Sequence, residues 1–146
     1  MLGLPTGEEL SFLPHRDPGS VTTILVAAAV IEQDGAFLVT RRQEGVHLAG
    51  HWEFPGGKCD PGETLEGCMI RELREELGLS ATVGEELLTT THEYSDRRVE
   101  LHFFRCLTSG TPNPQQGQEM RWVPRGELDR LTFPPADRAL LRLLCS

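Results

Sequence analysis

Positive charge is scarce in this sequence, and it has no long apolar run. The 146 residues include 22 acidic and 14 basic side chains, which gives a net charge of −8, and Lys58 is the single lysine. This acidic excess repels phosphate groups and excludes a protein that binds DNA, RNA or anionic lipid surfaces non-specifically. The longest apolar run, residues 24–31, is far shorter than the roughly 20 residues of a membrane-spanning helix. We therefore expect neither a polymeric nucleic acid nor a membrane as a partner.

Closely spaced cysteine motifs are also lacking in the sequence. The four cysteines form no Cys-x-x-Cys pair, and their spacing matches no zinc site. The N-terminal residues do not show the basic region followed by an apolar stretch that is typical of a secretory signal. We therefore expect a cytoplasmic protein with reduced thiols rather than a disulfide framework.

The chain divides into a short extension and one domain. Residues 1–20 contain three prolines and no sustained periodicity, which predicts a flexible N-terminal extension. Residues 21–146 suffice for one core, and their order of patterns predicts a single α/β domain. The predicted strands cover residues 21–31, 36–42, 52–54, 82–93, 97–107 and 120–123, and the predicted helices cover 64–77 and 136–144. The turn at residues 33–35 predicts that the first two strands form a hairpin.

The helix over residues 64–77 concentrates negative charge. Glu72, Glu75 and Glu76 lie within roughly 100° of one another around the helix, beside an apolar stripe that faces the core. Like charges at these spacings repel. Two interpretations follow: a solvated acidic face that Arg71 and Arg74 partly neutralise, or a site where carboxylates hold Mg²⁺ or Mn²⁺ against substrate phosphates.

The residues before this helix favour the second interpretation. Gly56 and Gly57 allow the backbone to approach a ligand closely, and Lys58 follows them. A glycine-rich loop before a helix can offer carbonyl oxygens to a metal and amides to a phosphate. Glycines, a lysine and clustered carboxylates within one short segment therefore predict a polyphosphate site.

The segment over residues 57–79 resembles the Nudix box, G-x5-E-x7-R-E-U-x-E-E-x-G-U, where U is aliphatic. The specified positions are filled by Gly57, Glu63, Arg71, Glu72, Leu73, Glu75, Glu76, Gly78 and Leu79. The resemblance implies a mixed β-sheet sandwiched between helices over residues 21–146. It also implies hydrolysis of a nucleoside diphosphate linked to another group, with Mg²⁺ or Mn²⁺ as the cofactor.

The resemblance assigns a role to each group of box residues. Glu72, Glu75 and Glu76 would be the metal-binding and catalytic carboxylates, with Glu72 helping to deprotonate the attacking water. The carbonyl of Gly56 would be a further metal ligand. Gly57, Glu63, Arg71 and Gly78 would shape and orient the box.

Residues outside the box resemble the MutT branch of this family, whose members cleave nucleoside triphosphates to a monophosphate and pyrophosphate. The matching segments are residues 40–42, 52–58, 96–97 and 133–136. On this resemblance Arg42, Phe54, Lys58 and Arg97 contact substrate, and His47 lies near a bound nucleotide. Phe54 could equally be a core residue, and Arg97 could be a solvated turn residue.

Two residues depart from the MutT pattern. Asp137 replaces an asparagine that reads 8-oxoguanine, and the resulting Pro-Ala-Asp is similar to the CTP pyrophosphohydrolases. An ionised carboxylate only accepts hydrogen bonds, which suits the exocyclic amine of cytosine, whereas a protonated one could still donate to guanine. Gln116 replaces a glutamate that assists the metal or water, and Glu119 is a candidate substitute.

The sequence leaves several alternatives open. The main hypothesis is a nucleoside triphosphate pyrophosphohydrolase that sanitises the nucleotide pool and so serves DNA repair, acting on 8-oxo-dGTP or on CTP and dCTP. The alternatives are a hydrolase of ADP-ribose or dinucleotide polyphosphates and a non-catalytic nucleotide-binding module. We expect a monomer or a homodimer.

Overall fold

A computed structural model describes residues 22–46 and 48–145 of the chain. Residues 1–20 and His47 lie outside this range, so the predicted extension and the predicted nucleotide contact of His47 stay predictions. Within the described residues the strands are β1 (Thr22–Val30), β2 (Glu32–Gln33), β3 (Ala36–Arg41), β4 (Trp52–Glu53), β5 (Gly56–Lys58), β6 (Ser80–Glu93), β7 (Arg97–Ser109) and β8 (Met120–Pro124). The α-helices are α1 (Leu65–Leu77) and α2 (Arg138–Cys145), and 3₁₀ turns cover Arg125–Arg130 and Pro135–Asp137.

The strands form two four-stranded sheets in the described part of the chain. The first has the order β5-β1-β7-β6, and in the second β3 pairs with β2, β4 and β8. β1 runs parallel to β7, with Thr22 opposite Arg97 and Val30 opposite Arg105. The predicted hairpin between the first two strands is therefore wrong for β1, because β3 belongs to the other sheet. A hairpin does form at the predicted turn, but its first strand is the two-residue β2.

β1 separates two apolar clusters because its side chains alternate between the two faces of the sheet. Val26 and Ala28 pack in a cluster that also contains Leu140 and Leu144 of α2. Ala27 and Ala29 pack in a second cluster under α1. The helices thus cover opposite faces, which confirms the predicted α/β architecture with sheets sandwiched between helices.

α1 begins and ends as the sequence predicts. The hydroxyl of Thr64 accepts a hydrogen bond from the Gly67 N–H, which satisfies one free donor of the first turn. Gly78 follows the last turn with φ 67°, a left-handed conformation that glycine adopts without steric cost. Met69, Leu73 and Leu77 form the buried stripe of the helix. These local signals fix α1, and with it the face that carries the carboxylates.

The predicted ends of the terminal helix and the predicted cysteine chemistry need correction. The α-helical part of the last helix begins at Arg138, because Pro135–Asp137 forms a 3₁₀ turn. Cys59 and Cys68 are joined by a disulfide, with Cα atoms 5.2 Å apart, contrary to the expectation of four thiols. Cys106 and Cys145 are free. No helix of the described residues is long and apolar enough to cross a bilayer.

Candidate functional site

Arg71 is the centre of an ion-pair network beside α1. Its Nε donates to Glu63 at 2.7 Å, and its Nη1 donates to Glu72 at 2.9 Å and to Glu75 at 3.1 Å. Its Nη2 donates to Glu63 at 2.9 Å and to the carbonyl of Lys58 at 3.2 Å. These bonds from Arg71, together with one from the Asp60 N–H, lower the pKa of Glu63 to about 2. One guanidinium therefore joins the loop before α1 to two of its three clustered carboxylates.

Glu76 points inward from the same helix. Its carboxylate accepts the Gly56 N–H at 3.0 Å and the Thr40 hydroxyl at 3.4 Å, and only 5% of the residue is exposed. Burial raises the pKa of Glu76, since a charged group loses hydration there, and the neighbouring Glu72 raises it further. Glu76 therefore connects α1 to both sheets, through β5 and β3.

Gly56 and Gly57 are required by close contacts on both sides of β5. A Cβ on Gly57 would lie 2.7 Å from the carboxylate Oε1 of Glu72. A Cβ on Gly56 would lie 2.8 Å from the Cα of Ala28. Separations this short cannot be accommodated without moving backbone or a carboxylate. Gly57 thus lets Glu72 approach the β5 backbone, and Gly56 lets β5 pack closely against β1.

We call Glu72, Glu75 and Glu76, with Arg71, the carboxylate site. Its donors are the hard carboxylate oxygens that Mg²⁺ and Mn²⁺ prefer, and a cation there would favour the charged form of Glu76, which burial and Glu72 disfavour. The three carboxylates do not yet converge: among the described residues, the cluster of ligand atoms within 4.8 Å of one another comprises Cys59, Glu63 and Cys68. Glu75 is held outward by Arg71 and its side chain is 60% exposed. The chemistry of this donor set fits a divalent cation, and in this structure Arg71 Nη1 bonds to both Glu72 and Glu75.

A buried ion pair that the sequence analysis missed lies next to Glu76. Arg42 Nη1 donates to Glu53 at 3.1 Å, and their side chains are only 6% and 2% exposed. Burial raises the pKa of Glu53 to about 8, and repulsion from Glu76 adds to this effect while Arg42 opposes it. An acidic residue inside the short apolar run Trp52–Phe54 is the signal that could have identified Glu53. Arg42, a predicted substrate contact, therefore lies beside the carboxylate site.

A second group of predicted residues lies on the other side of β1. Phe54 is fully buried and stacks on Phe133, with ring centroids 5.4 Å apart. The Arg97 guanidinium lies 4.1 Å from the ring centroid of Tyr94, and both Tyr94 and Phe133 pack against the cluster that contains Phe54. We call these four residues the aromatic cluster. A substrate contact through Phe54 would require Phe133 to move, so Phe54 is a core residue in this conformation.

Asp137 is buried at the edge of the same apolar cluster, next to Ala136. It is 1% exposed, and its Oδ2 has no hydrogen-bond partner among residues 22–46 and 48–145. Burial raises the pKa of Asp137 to about 7. A buried polar atom without a partner is costly. Asp137 is therefore a candidate for contact with a ligand.

An open cleft of about 590 Å³ separates the end of β3 from the loop before β8. It is lined by Arg41, Arg42, Gln43, Glu44, Gly50, Gly117, Gln118 and Glu119. Glu119 forms ion pairs with Arg41 at 3.2 Å and with Arg121 at 3.3 Å, so it belongs to the cleft wall. Gln116 accepts a hydrogen bond from Gln43 through its backbone carbonyl. Lys58 is exposed at the end of β5.

Comparisons with known proteins identify the family. The family model described as the NUDIX domain matches residues 26–143. The CTP pyrophosphohydrolase of Escherichia coli is 40% identical over 119 residues, which are 81% of this chain and 88% of that protein. The 8-oxo-dGTP diphosphatase of Haemophilus influenzae is 39% identical over 123 residues, which are 83% of this chain and 90% of that protein.

Solved structures agree with these sequence matches. The solution structure of the E. coli ORF135 protein is similar with a TM-score of 0.77 and 39% identity, and the match covers 87% of this chain and 91% of that one. The crystal structure of the MutT protein from Methanosarcina mazei Go1 is similar with a TM-score of 0.75 and 27% identity, covering 85% and 94%. With an intact box on α1 and relatives matched over most of their length, the chain belongs to the Nudix family of hydrolases.

Proposed function

We propose that this chain is a nucleoside triphosphate pyrophosphohydrolase that requires Mg²⁺ or Mn²⁺ and acts on nucleotides of the cytoplasmic pool. The observation that carries the proposal is the carboxylate site, with Glu76 fixed between α1, β5 and β3 and Glu72 against Gly57. Similarity to proteins named as a CTP pyrophosphohydrolase and 8-oxo-dGTP diphosphatases supports the choice of a triphosphate. The products would be a nucleoside monophosphate and pyrophosphate.

Each residue of the carboxylate site would have its own role in such a reaction. Glu72, Glu75 and Glu76 would hold the divalent cation together with the Gly56 carbonyl. A cation at this position neutralises phosphate charge and lowers the pKa of bound water. Glu72 would accept the proton of the attacking water, and Arg71 would fix the Glu72 carboxylate through its 2.9 Å hydrogen bond.

Charge outside the carboxylate site supports an anionic substrate. Arg41 and Arg42 line the cleft, and Lys58 ends the strand that carries Gly56 and Gly57. These cations would contact phosphate oxygens that the divalent ion does not neutralise. An acidic protein can hold a polyphosphate in this way, because the local positive charge and the cation outweigh the net charge of the chain.

Asp137 would select the base, and we propose cytosine as the preferred one. Its ionised carboxylate can accept hydrogen bonds from the exocyclic amine N4. Its Oδ2 has no partner among the described residues, and a bound amine would satisfy it. Because the Asp137 carboxyl is buried, loss of this contact would again leave its Oδ2 without a partner among the described residues, which strengthens the discrimination.

One observation favours 8-oxo-dGTP as a second substrate. The pKa of Asp137 is raised to about 7, so a large fraction of the carboxyl is protonated at neutral pH. A carboxylic acid carries one donor and one acceptor, as an amide does, and can donate to O6 while accepting from the N7–H of the oxidised base. The preference for cytosine over 8-oxoguanine would therefore rise as the pH passes from 6 to 8.

The test measures pyrophosphate release at saturating Mg²⁺ from CTP, dCTP, 8-oxo-dGTP and dGTP. ADP-ribose and a diadenosine polyphosphate are tested in parallel, and their hydrolysis is followed through the nucleoside monophosphate that is released. We expect kcat/KM to be highest for the cytosine nucleotides. Asp137→Asn should shift the ratio toward 8-oxo-dGTP by about 10- to 100-fold. Asp129→Asn, at an exposed position, is the matched control.

Each other result would overturn part of this proposal. Highest activity on ADP-ribose or the dinucleotide would exclude a triphosphate pyrophosphohydrolase. Nucleotide binding without any metal-dependent turnover would indicate a non-catalytic module. An unchanged substrate ratio in Asp137→Asn would remove Asp137 from base selection.

A further inference from the structure

The Cys59–Cys68 pair joins the loop before α1 to the helix itself. Cys59 follows β5, where its N–H donates to the Leu25 carbonyl at 2.8 Å, and Cys68 lies in the first half of α1. Cys59 is partly exposed, whereas Cys68 is fully buried. The Sγ of Cys68 lies 3.8 Å from the carbonyl oxygen of Gly57. The same position therefore also suits a reduced thiol, which would donate to that oxygen.

The bond closes a loop that contains Glu63. Glu63 makes the shortest ion pair of Arg71, at 2.7 Å, and Arg71 in turn holds Glu72 at 2.9 Å. Without the disulfide, residues 59–64 are attached to α1 chiefly by this ion pair and by the Thr64 cap. The cysteine pair is thus a second, covalent attachment of the segment that positions Arg71.

The two remaining cysteines show that this arrangement is specific. Cys106 is as buried as Cys68 but is free, so it has no accessible cysteine at bonding distance. Cys145 is exposed but is free of any disulfide. Cys59 and Cys68 thus combine an accessible sulfur with a buried partner at bonding distance. This is the arrangement required for attack by one thiol and resolution by the other.

We propose that Cys59 and Cys68 form a reversible thiol–disulfide exchange site whose reactant is a low-molecular-weight disulfide of the glutathione type. The Cys59 thiolate attacks one sulfur of that disulfide, forms a mixed disulfide and releases the first small thiolate. The Cys68 thiol then attacks the Cys59 sulfur and loses its proton to the departing group. The Cys59–Cys68 bond forms and the second small thiol leaves. Two protein thiols are oxidised, and the small disulfide is reduced to two thiols.

The consequence is a redox-dependent attachment of the loop to α1. Closing a loop of this size lowers the entropy of the unfolded chain, so the oxidised protein should unfold at a temperature about 5 °C or more above that of the reduced protein. The oxidised form should also hold Glu63 and Arg71 more firmly. This inference does not depend on the proposed substrate, because its readouts are thiol content and thermal unfolding.

The experiment treats the fully reduced, full-length protein with oxidised glutathione, followed by intact-mass measurement and alkylation of remaining thiols. In the wild type, Cys59 and Cys68 should both lose their free thiols, and neither should retain glutathione, whereas the exposed Cys145 can carry an adduct of its own. Cys68→Ser should retain glutathione on Cys59, because no resolving thiol is left. Cys59→Ser should leave Cys68 unmodified. Cys145→Ser, which removes an exposed cysteine away from the pair, is the matched control and should behave like the wild type at Cys59 and Cys68.

Any of the following results would overturn the proposal. Stable glutathione on wild-type Cys59 would show that Cys68 does not resolve the mixed disulfide. No adduct in Cys68→Ser would show that Cys59 does not react. A second measurement covers the Cys59→Ser variant: reduction should lower the unfolding temperature of the wild type but leave that of Cys59→Ser unchanged. Equal shifts in both proteins would contradict the proposed attachment. If Zn²⁺ blocked exchange completely, the pair with Glu63 would be a metal site instead.

Discussion

The carboxylate site and the aromatic cluster lie on the two sides of the sheet that contains β1, and they are built differently. The carboxylate site is charged, and its residues come from one continuous segment held by Arg71. The aromatic cluster is mostly apolar and combines residues from distant parts of the chain, and Asp137, whose Oδ2 has no partner among the described residues, lies nearby. The residues of the carboxylate site follow one another in a single segment, whereas the aromatic cluster depends on packing between segments.

The largest expected effect comes from removing a charge at the carboxylate site. Glu76→Gln should lower kcat on the order of 10³-fold or more, because Glu76 bridges α1, β5 and β3 and would bind the cation. Turnover and Mn²⁺ affinity are the measurements. Glu66→Gln, exposed on the first turn of the same helix, is the control and should change neither. Comparable turnover in Glu76→Gln would place the chemistry outside this site.

A steric change tests the same site without removing a charge. Gly57→Ala places a Cβ 2.7 Å from Glu72 Oε1, so the carboxylate must move. A displacement of about 1 Å costs about 10²-fold in rate, and we expect kcat to fall by that amount. Gly126→Ala adds a Cβ with nothing within 4 Å and serves as the control. Unchanged kcat in Gly57→Ala would mean that the position of Glu72 is not critical.

Asp137, buried near the aromatic cluster, should make the stability of the protein depend on pH. The pKa of Asp137 is about 7 in the folded protein against 3.8 for an unperturbed group, so the folded state retains a proton that the unfolded state has lost. The free energy of unfolding should therefore fall as the pH rises through this window, with an unfolding temperature about 5 °C or more lower at pH 8 than at pH 5. Glu53, with its pKa raised to about 8, acts in the same direction.

Asp137→Asn isolates the contribution of Asp137 to that slope. The amide does not ionise, so the variant should lose less stability between pH 5 and pH 8 in metal-free buffer. Asp129→Asn should keep the wild-type slope. If Asp137→Asn lost as much stability with pH as the wild type, the raised pKa of Asp137 would be contradicted. The pH dependence of stability would then come from Glu53.

The smallest effect is expected at the cleft wall. Glu119→Gln removes exposed ion pairs with Arg41 and Arg121, and such pairs contribute at most about 1 kcal/mol. We expect less than a roughly two-fold change in kcat. A loss of kcat as large as that in Glu76→Gln would contradict this expectation. It would mean that Glu119 takes the place of the glutamate that Gln116 replaces.

The comparison also explains what the sequence could predict. The ends of α1 follow from Thr64 and Gly78, which act within one turn, and the box residues lie in a single segment. The pairing of β1 with β7 joins residues about 75 positions apart, with Thr22 opposite Arg97, and a local turn signal favoured a hairpin instead. Glu53 was missed because its partner Arg42 lies in another segment, directly after β3.

Other differences arise from packing. Phe54 was predicted both as a substrate contact and as a core residue, and only the stacking on Phe133 distinguishes these interpretations. Reduced thiols were expected from cysteine spacing and cellular location, neither of which records that Cys59, directly after β5, lies beside Cys68 of α1. Contacts between segments decide these cases, and the residue pattern of either segment alone does not.

The position of β1 has a consequence for how the protein opens. Because Val26 and Ala28 belong to one apolar cluster while Ala27 and Ala29 belong to the other, neither cluster can come apart while the strand keeps its place. The backbone amides on the two sides of the sheet should therefore exchange with solvent deuterium in a single cooperative event. The two apolar clusters would then open together rather than one at a time.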